Sequence, residues 1–265
     1  MNGVYPLFSS SKGNSIYIGN EERGILIDAG ASLKRLCSAM ERCGLSLSAV
    51  KAVFITHEHS DHVKGLSVFT KKYSVDIFGL PKTIGRLVDE NMINAPSRAN
   101  YISGPVRIED MLITAFETPH DTEQSCGYRV NFDDGSSCAV CTDLGHVTAT
   151  VSEALKGVNT VLLESNYDET LIETGPYPYH VKQRICSDHG HLSNRASAEQ
   201  VRVLVETGTK NIILGHLSQE NNAPVIAEHA ALKKLSDFER DKDYFLKIAQ
   251  PETTGDMVVI QRCTV

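Results

Sequence analysis

The sequence predicts an α/β fold: two β-sheets packed together, with helices on their outer faces, in one domain covering residues 1–265. Three observations carry this. Short apolar runs of strand length recur along the chain and crowd its first half. Segments with helical spacing lie between them in both halves. No linker, low-complexity tract or internal repeat interrupts a length that suits one large domain.

Residues 4–8, 15–18 and 24–27 read as strands. The turn-rich Ser9-Ser10-Ser11-Lys12-Gly13-Asn14 joins the first two. Residues 32–43 have helical spacing, with Leu33, Leu36, Cys37 and Met40 on one face and Gly44 as the stop. Residues 52–56 form a buried apolar strand. Residues 64–73 and 81–91 read as helices, and 111–117, 127–131, 137–142 and 160–164 as strands. The second half repeats the scheme. A helix at 194–206 precedes a strand at 211–214, a helix at 224–235, and strands at 244–249 and 257–260.

Composition narrows the class. Hydrophobic residues make up 41% and charged residues 22%, the balance of a soluble globular chain. No apolar run reaches the length of a membrane span. Met1-Asn2-Gly3-Val4-Tyr5-Pro6 lacks the basic and apolar regions of a secretory signal. Seven cysteines are an odd number in a chain too long to need disulfides, so a reducing cytoplasm is expected. Cys138 and Cys141 match C-x-x-C. On a strand they face opposite ways and read as core residues, not chelators. The formal net charge of −7 argues against a general nucleic-acid glue, which would be basic. It leaves room for a nuclease whose divalent ions bring positive charge to the phosphate. No motif points to a membrane or a protein partner.

The strand at 52–56 ends in His57-Glu58-His59-Ser60-Asp61-His62. Imidazoles and a carboxylate at such density suit zinc, manganese or iron. On an extended segment His57 and His59 face the same way and converge on one ion. If the chain turns helical at Ser60, Asp61 and His62 project to a neighbouring point, which suggests two ions. The plainer alternative is a solvated His-rich turn. A dinuclear site needs about three more ligands at strand ends. His120, Asp143 and His216 each follow an apolar run beside turn residues. Taken singly, each would more often be a surface or capping residue.

The order His57-x-His59-x-Asp61-His62, His120, Asp143, His216 resembles the five-motif signature of the metallo-β-lactamase superfamily. The resemblance runs from Leu26-Ile-Asp28-Ala-Gly30 to Gly215-His216. It implies a four-layer αβ/βα sandwich with the site at the rim between the sheets. It also implies that His57, His59 and His120 hold one divalent ion, that Asp61, His62 and His216 hold the other, and that Asp143 bridges. Zinc or manganese is expected, with iron as an option. Asp28 would orient a ligand imidazole. A carboxylate at 143, where lactamases carry cysteine, argues against lactam hydrolysis. His59 stands where the oxygen-reducing di-iron branch has glutamate, and the chain is too short for the β-CASP insert. The segments 9–15, 163–168, 187–194 and 215–222 resemble the bacterial YycJ/WalJ subgroup, which is associated with 5′→3′ exonuclease activity on DNA.

Glu164, at a strand end, and His191, in a loop before a helix, resemble the proton-donor pair of the tRNA-3′-processing branch. His189 is the substitute, and the plainer reading makes His191 a solvated loop residue. His180-Val-Lys182-Gln-Arg184 is a solvated helix face or, through Lys182 and Arg184, a phosphate contact. The loop with Lys12 and Asn14 is a phosphate cradle or an ordinary hairpin turn. Tyr167, Tyr177 and Tyr179 suit base stacking, though packing explains them as well. His146 and His229 read as structural. The resemblance thus implies a dinuclear hydrolase, a phosphodiesterase or 5′→3′ DNA exonuclease. In it the metals lower the pKa of a bridging water and Asp61 both binds metal and holds a proton. A thioester, lactone or small-phosphodiester hydrolase is the alternative on the same scaffold.

Overall fold

A computed structural model describes residues 1–95 and 97–260. In chain order its elements are β1 (Gly3–Ser10), β2 (Gly13–Gly19), β3 (Gly24–Ile27), α1 (Leu33–Arg42), β4 (Val50–Phe54), α2 (Ser60–Val63), α3 (Leu66–Lys72) and β5 (Asp76–Gly79). There follow α4 (Pro81–Asp89), β6 (Arg98–Tyr101), β7 (Val106–Ile108), β8 (Met111–Glu117), β9 (Cys126–Phe132), β10 (Ser137–Cys141) and α5 (Ala149–Leu155). The chain continues through β11 (Thr160–Glu164), α6 (Glu169–Thr174), α7 (Tyr179–Ile185), α8 (Asn194–Glu206), β12 (Asn211–Gly215), α9 (Pro224–Lys234), β13 (Phe245–Ile248) and β14 (Val258–Val259).

The strands form two mixed sheets, in the orders β14-β1-β2-β3-β4-β5-β6 and β13-β12-β11-β10-β9-β8-β7. The fold is therefore α/β, as the interleaved strand and helix patterns predict. By packing, the chain divides into two compact units. One comprises residues 1–115, 122–126 and 250–260, and the other residues 116–121 and 127–249.

In the first unit, β1 and β2 form a hairpin that turns at Ser11 and Lys12, with Ser10 opposite Gly13. The next strands are parallel: Ile27 of β3 lies opposite Phe54 of β4, and Phe54 opposite Phe78 of β5. Phe54 and Phe78 stack with centroids 4.9 Å apart. Helix α1 starts at Ser32, whose side chain accepts from the Arg35 N–H, and it buries Leu33, Leu36, Ala39 and Met40. It stops before Gly44, whose φ of +71° suits glycine. The predicted helix at 64–73 begins later, because Gly65 lies beside the 29–31 backbone and donates its N–H to Ala29 O at 2.8 Å.

In the second unit, β10, β11, β12 and β13 are parallel. Leu163 lies opposite both Cys141 and Leu214, and Glu164 opposite Gly215. Parallel strands buried on both faces read as continuous apolar runs, as Val161-Leu-Leu and Ile212-Ile-Leu do. Cys138 and Cys141 are both fully buried on β10, and burial pushes the Cys138 thiol up. Helix α8 is capped by Ser193, which accepts from the Ala196 N–H. It buries Ala198, Val201, Leu204 and Val205.

The parallel registers place the C-terminal ends of neighbouring strands at one sheet edge, where α/β proteins gather their functional groups. In the first unit that edge delivers Asp28 after β3 and His57 after β4. In the second it delivers Asp143, Glu164 and His216 after β10, β11 and β12.

Candidate metal-binding clusters

In the first unit the histidine segment leaves β4 extended and turns into α2 at Ser60, with His59 as the N-cap residue and Asp61 in the first turn. His57 and His62 are fully buried, and their rings lie 4.1 Å apart. The rings of His57 and His59 lie 4.7 Å apart. Asp28 anchors the group. Its Oδ1 accepts from the Thr56 N–H and its Oδ2 from the Thr56 hydroxyl, both at 2.8 Å. The same Oδ2 lies 2.7 Å from His62 Nδ1. Burial pushes the Asp28 carboxyl up, and the His62 and Thr56 donors pull it back.

With Nδ1 engaged by Asp28, His62 directs Nε2 toward Asp61 Oδ2, 3.5 Å away. Asn14 is buried behind them. Its Nδ2 donates to Asp61 Oδ2 at 3.1 Å and to Ser10 O at 3.0 Å, and lies 3.0 Å from His62 Nε2. Asn14 therefore ties the hairpin to the histidine segment, while Lys12 is exposed at the turn. Gly30 permits this packing, because a Cβ there would fall 1.6 Å from the Asp61 carbonyl oxygen.

In the second unit His120 follows β8 and Pro119. Its Nδ1 meets Gly190 O at 3.0 Å, which leaves Nε2 facing Asp121 Oδ1 at 3.3 Å and Asp143 Oδ1 at 3.8 Å. Asp143 Oδ2 lies 3.1 Å from His216 Nδ1. Glu164 is fully buried. Its Oε2 accepts from the Leu144 and Leu192 N–H groups at 3.1 and 3.0 Å, and its Oε1 holds His191 Nδ1 at 2.8 Å. Donor atoms of Asp143, Glu164, His191 and His216 lie within 4.8 Å of one another.

The electrostatics separate these imidazoles. Burial lowers the His120 pKa despite nearby Asp143, which suits a neutral ligand. His216 is also penalised by burial, but the Asp143 charge and hydrogen bond raise it. Burial opposes the His191 charge too. The Glu164 charge and hydrogen bond, then Asp143 and Asp121, outweigh it and push His191 up to about 9.

Asp28, Asp143 and His216 share a feature that the sequence patterns do not show. Their φ angles are +62°, +61° and +53°, left-handed backbone at non-glycine residues one or two positions past strand ends. Such geometry costs on the order of 1–3 kcal/mol per residue and clusters at functional sites. Thr56 Oγ1, 3.0 Å from His57 Nδ1, and Gly190 O, which meets His120 Nδ1, each engage a candidate-ligand ring, and neither residue type signals that role in the sequence.

The donor set fits divalent ions. Every candidate ligand is an imidazole or a carboxylate. His62 and His120 each have one ring nitrogen fixed by a carboxylate or carbonyl, the arrangement that orients metal-binding histidines. Of the other predicted residues, Lys182 donates to Glu173 O at 2.7 Å, and Arg184 pairs with Asp121. His189 is exposed, and His146 Nδ1 meets Asp188 O at 3.0 Å. Tyr167, Tyr177 and Tyr179 line one cavity.

Residues 23–217 match the family model described as the β-lactamase superfamily domain. The exodeoxyribonuclease YycJ of Bacillus anthracis is 33% identical over 235 residues, 87% of this chain and 88% of the relative. The exodeoxyribonuclease WalJ of Streptococcus pneumoniae is 32% identical over 260 residues, 96% of each. Among solved structures, the metallo-β-lactamase fold protein YhfI from Bacillus subtilis aligns with a TM-score of 0.71 at 15% identity. That alignment covers 95% of this chain and 97% of YhfI. With strand-end imidazoles and carboxylates in both units, the family model and the two sequence relatives define the class as metal-dependent hydrolases. The chain belongs to the metallo-β-lactamase superfamily and, within it, to the family of the YycJ and WalJ exodeoxyribonucleases.

Proposed function

We propose that this chain is a phosphodiesterase that degrades DNA from a 5′ end, with seven side chains holding two divalent ions. His57, His59 and His120 would hold one ion, Asp61, His62 and His216 the other, and Asp143 both. The names of the two relatives support the substrate and the donor chemistry supports the ions. Bound there, zinc or manganese would acidify a water and neutralise the phosphate.

The observation that carries the reading is the Glu164–His191 pair. A purely structural metal site has no use for a buried carboxylate that fixes an imidazole's Nδ1 and favours its charged form. Phosphodiester cleavage does, because an alkoxide leaving group needs a proton. Glu164 fixes Nδ1, so Nε2–H is the proton that His191 delivers to the leaving oxygen. Asp61, steadied by Asn14, takes the proton of the attacking water. Lys12 and Arg184 contact the strand's phosphates, while Lys182 is held by Glu173 O.

A linear duplex labelled at one 5′ end, digested beside a covalently closed circle, tests this. Early release of the label with the circle intact is the expected result. Nicking of the circle, or thioester cleavage with no action on DNA, would move the chain to the small-molecule hydrolases or to the endonucleases.

A further inference from the structure

We propose that the cavity framed by Tyr167, Ile172, Tyr177 and Tyr179 is a nucleobase pocket, which stacks an unpaired base of the DNA strand engaged at Glu164–His191. This rests on the nuclease reading. The cavity measures about 480 Å³, within the range of small-ligand sites, and its walls are mostly apolar. Tyr179 is 74% exposed, so core packing does not explain it. Its hydroxyl accepts from Gln183 Nε2 at 3.0 Å one helical turn along α7, which braces the ring. Tyr177 is half-buried and Tyr167 buried, so the three lining rings range from buried to exposed.

The chemistry favours a base over a phosphate. Glu169 and Glu173 stand at the cavity, where they repel an anion, and Glu169 is already paired with Arg195 at 3.1 Å. Lys182 is turned to Glu173 O. Aromatic faces accept any base, because every base has a π-face.

The backbone ties this cavity to the proton donor. Tyr167 lies three residues past Glu164 and bridges to Ser193, while the Asn194 N–H donates to Tyr167 O at 2.8 Å. Ile185, the last residue of α7, accepts from the His191 N–H at 2.9 Å. Both cavity walls are thereby fastened beside the two residues that act on the scissile bond. A strand positioned for cleavage brings its next base to the cavity's mouth.

Affinity of the metal-loaded protein for a single-stranded oligonucleotide, and for the same strand with abasic sites at its end, tests the proposal. Tyr177→Ala and Tyr179→Ala should each weaken binding of the normal strand by roughly 5- to 100-fold. Tyr179→Phe, which keeps the ring, should bind like the wild type. The abasic strand should bind weakly to all four proteins. Unchanged thermal unfolding in the variants excludes misfolding. Equal wild-type affinity for the normal and abasic strands, or unaltered binding in the alanine variants, would overturn the pocket while DNA cleavage still upheld the nuclease. Equal losses on both strands would also overturn it, since the rings would then be reading the backbone. Wild-type protein that neither binds nor cleaves any DNA would defeat the nuclease reading, and the pocket with it.

Discussion

His191 is the residue whose chemistry is most exposed to test. If it protonates the leaving oxygen, His191→Ala should lose roughly 10²- to 10⁴-fold in turnover on DNA. On a bis-p-nitrophenyl phosphodiester, whose leaving group hardly needs a proton, the loss should be far smaller, with metal content unchanged. An equal loss on both substrates would make the residue structural. The same pair gives a pH signature in chelated protein. The folded pKa of His191, about 9, lies above the ordinary 6.5. The stabilisation it contributes is therefore complete below about pH 6.5 and lost as pH rises through 9. The gap in urea midpoint between wild type and His191→Gln should be widest near pH 6 and close by pH 10. A gap that widens with pH would contradict the assignment. Residue types at strand ends made the candidate ligands legible in the sequence. The left-handed backbone of Asp28, Asp143 and His216 was not, because Asp and His, though enriched at positive φ, adopt it in only a small minority of positions.

At the scale of elements, close backbone approach decides which glycines are indispensable. A Cβ on Gly30 would collide with the Asp61 carbonyl, and backbone cannot swing aside as a side chain can. Gly30→Ala should cost at least about 1–3 kcal/mol in urea unfolding and loosen metal binding through Asp61 and His62. Gly85, inside α4, has open space around its Cβ direction. Gly85→Ala should instead stabilise by about 0.5–1 kcal/mol, because alanine loses less freedom in a helix. If both substitutions behave alike, the packing argument fails. Long periodic elements, such as α1, α8 and the apolar strands, were readable from spacing within a residue or two. Strands β5, β6 and β7 span three or four residues and, unlike the equally short but continuously apolar β3, are broken by charged or polar residues, so no apolar run marks them. Helices α5, α6 and α7 are only six or seven residues long. The Thr148 and Asp168 caps of α5 and α6 were the available signal. The loop pattern around Asn14 fits a phosphate cradle or an ordinary hairpin turn. The bond of Asn14 to Asp61, 47 residues away, is a tertiary fact that no local pattern encodes.

For the whole molecule, a net charge of −7 sets the terms of DNA binding. Little offsets repulsion from the phosphates until divalent ions are bound. Affinity for DNA should fall sharply on chelation, and in loaded protein it should decline with added salt at a shallow slope, since few side chains replace counterions. Strong, steeply salt-dependent binding by chelated protein would instead reveal an unrecognised basic surface. We further propose that the two units unfold as one domain, because the chain passes between them at residues 115–116, 121–122, 126–127 and 249–250. Neither unit is a continuous segment able to fold from its own stretch of chain. Urea curves followed by tyrosine fluorescence and by far-ultraviolet circular dichroism should coincide. Separated transitions would mean two independent domains.

The return of residues 250–260 to the first unit bears on how the protein is made. Gly3 pairs with Val259 and Val4 with Val258, and Glu252 binds Arg35 and Arg42 at 2.6 Å each. A ribosome releases residue 3 early and residue 259 on the order of ten to fifty seconds later. Throughout that interval β1 has a bare edge, and α1 lacks the carboxylate that receives its two arginines. The segment holding His57 to His62 is thus translated early but gains its finished surroundings late, after residues 127–249 have been synthesised. A premature stop at codon 250 would accordingly injure the unit that begins at residue 1, and chaperone demand during synthesis should centre on the nascent β1–β2 hairpin.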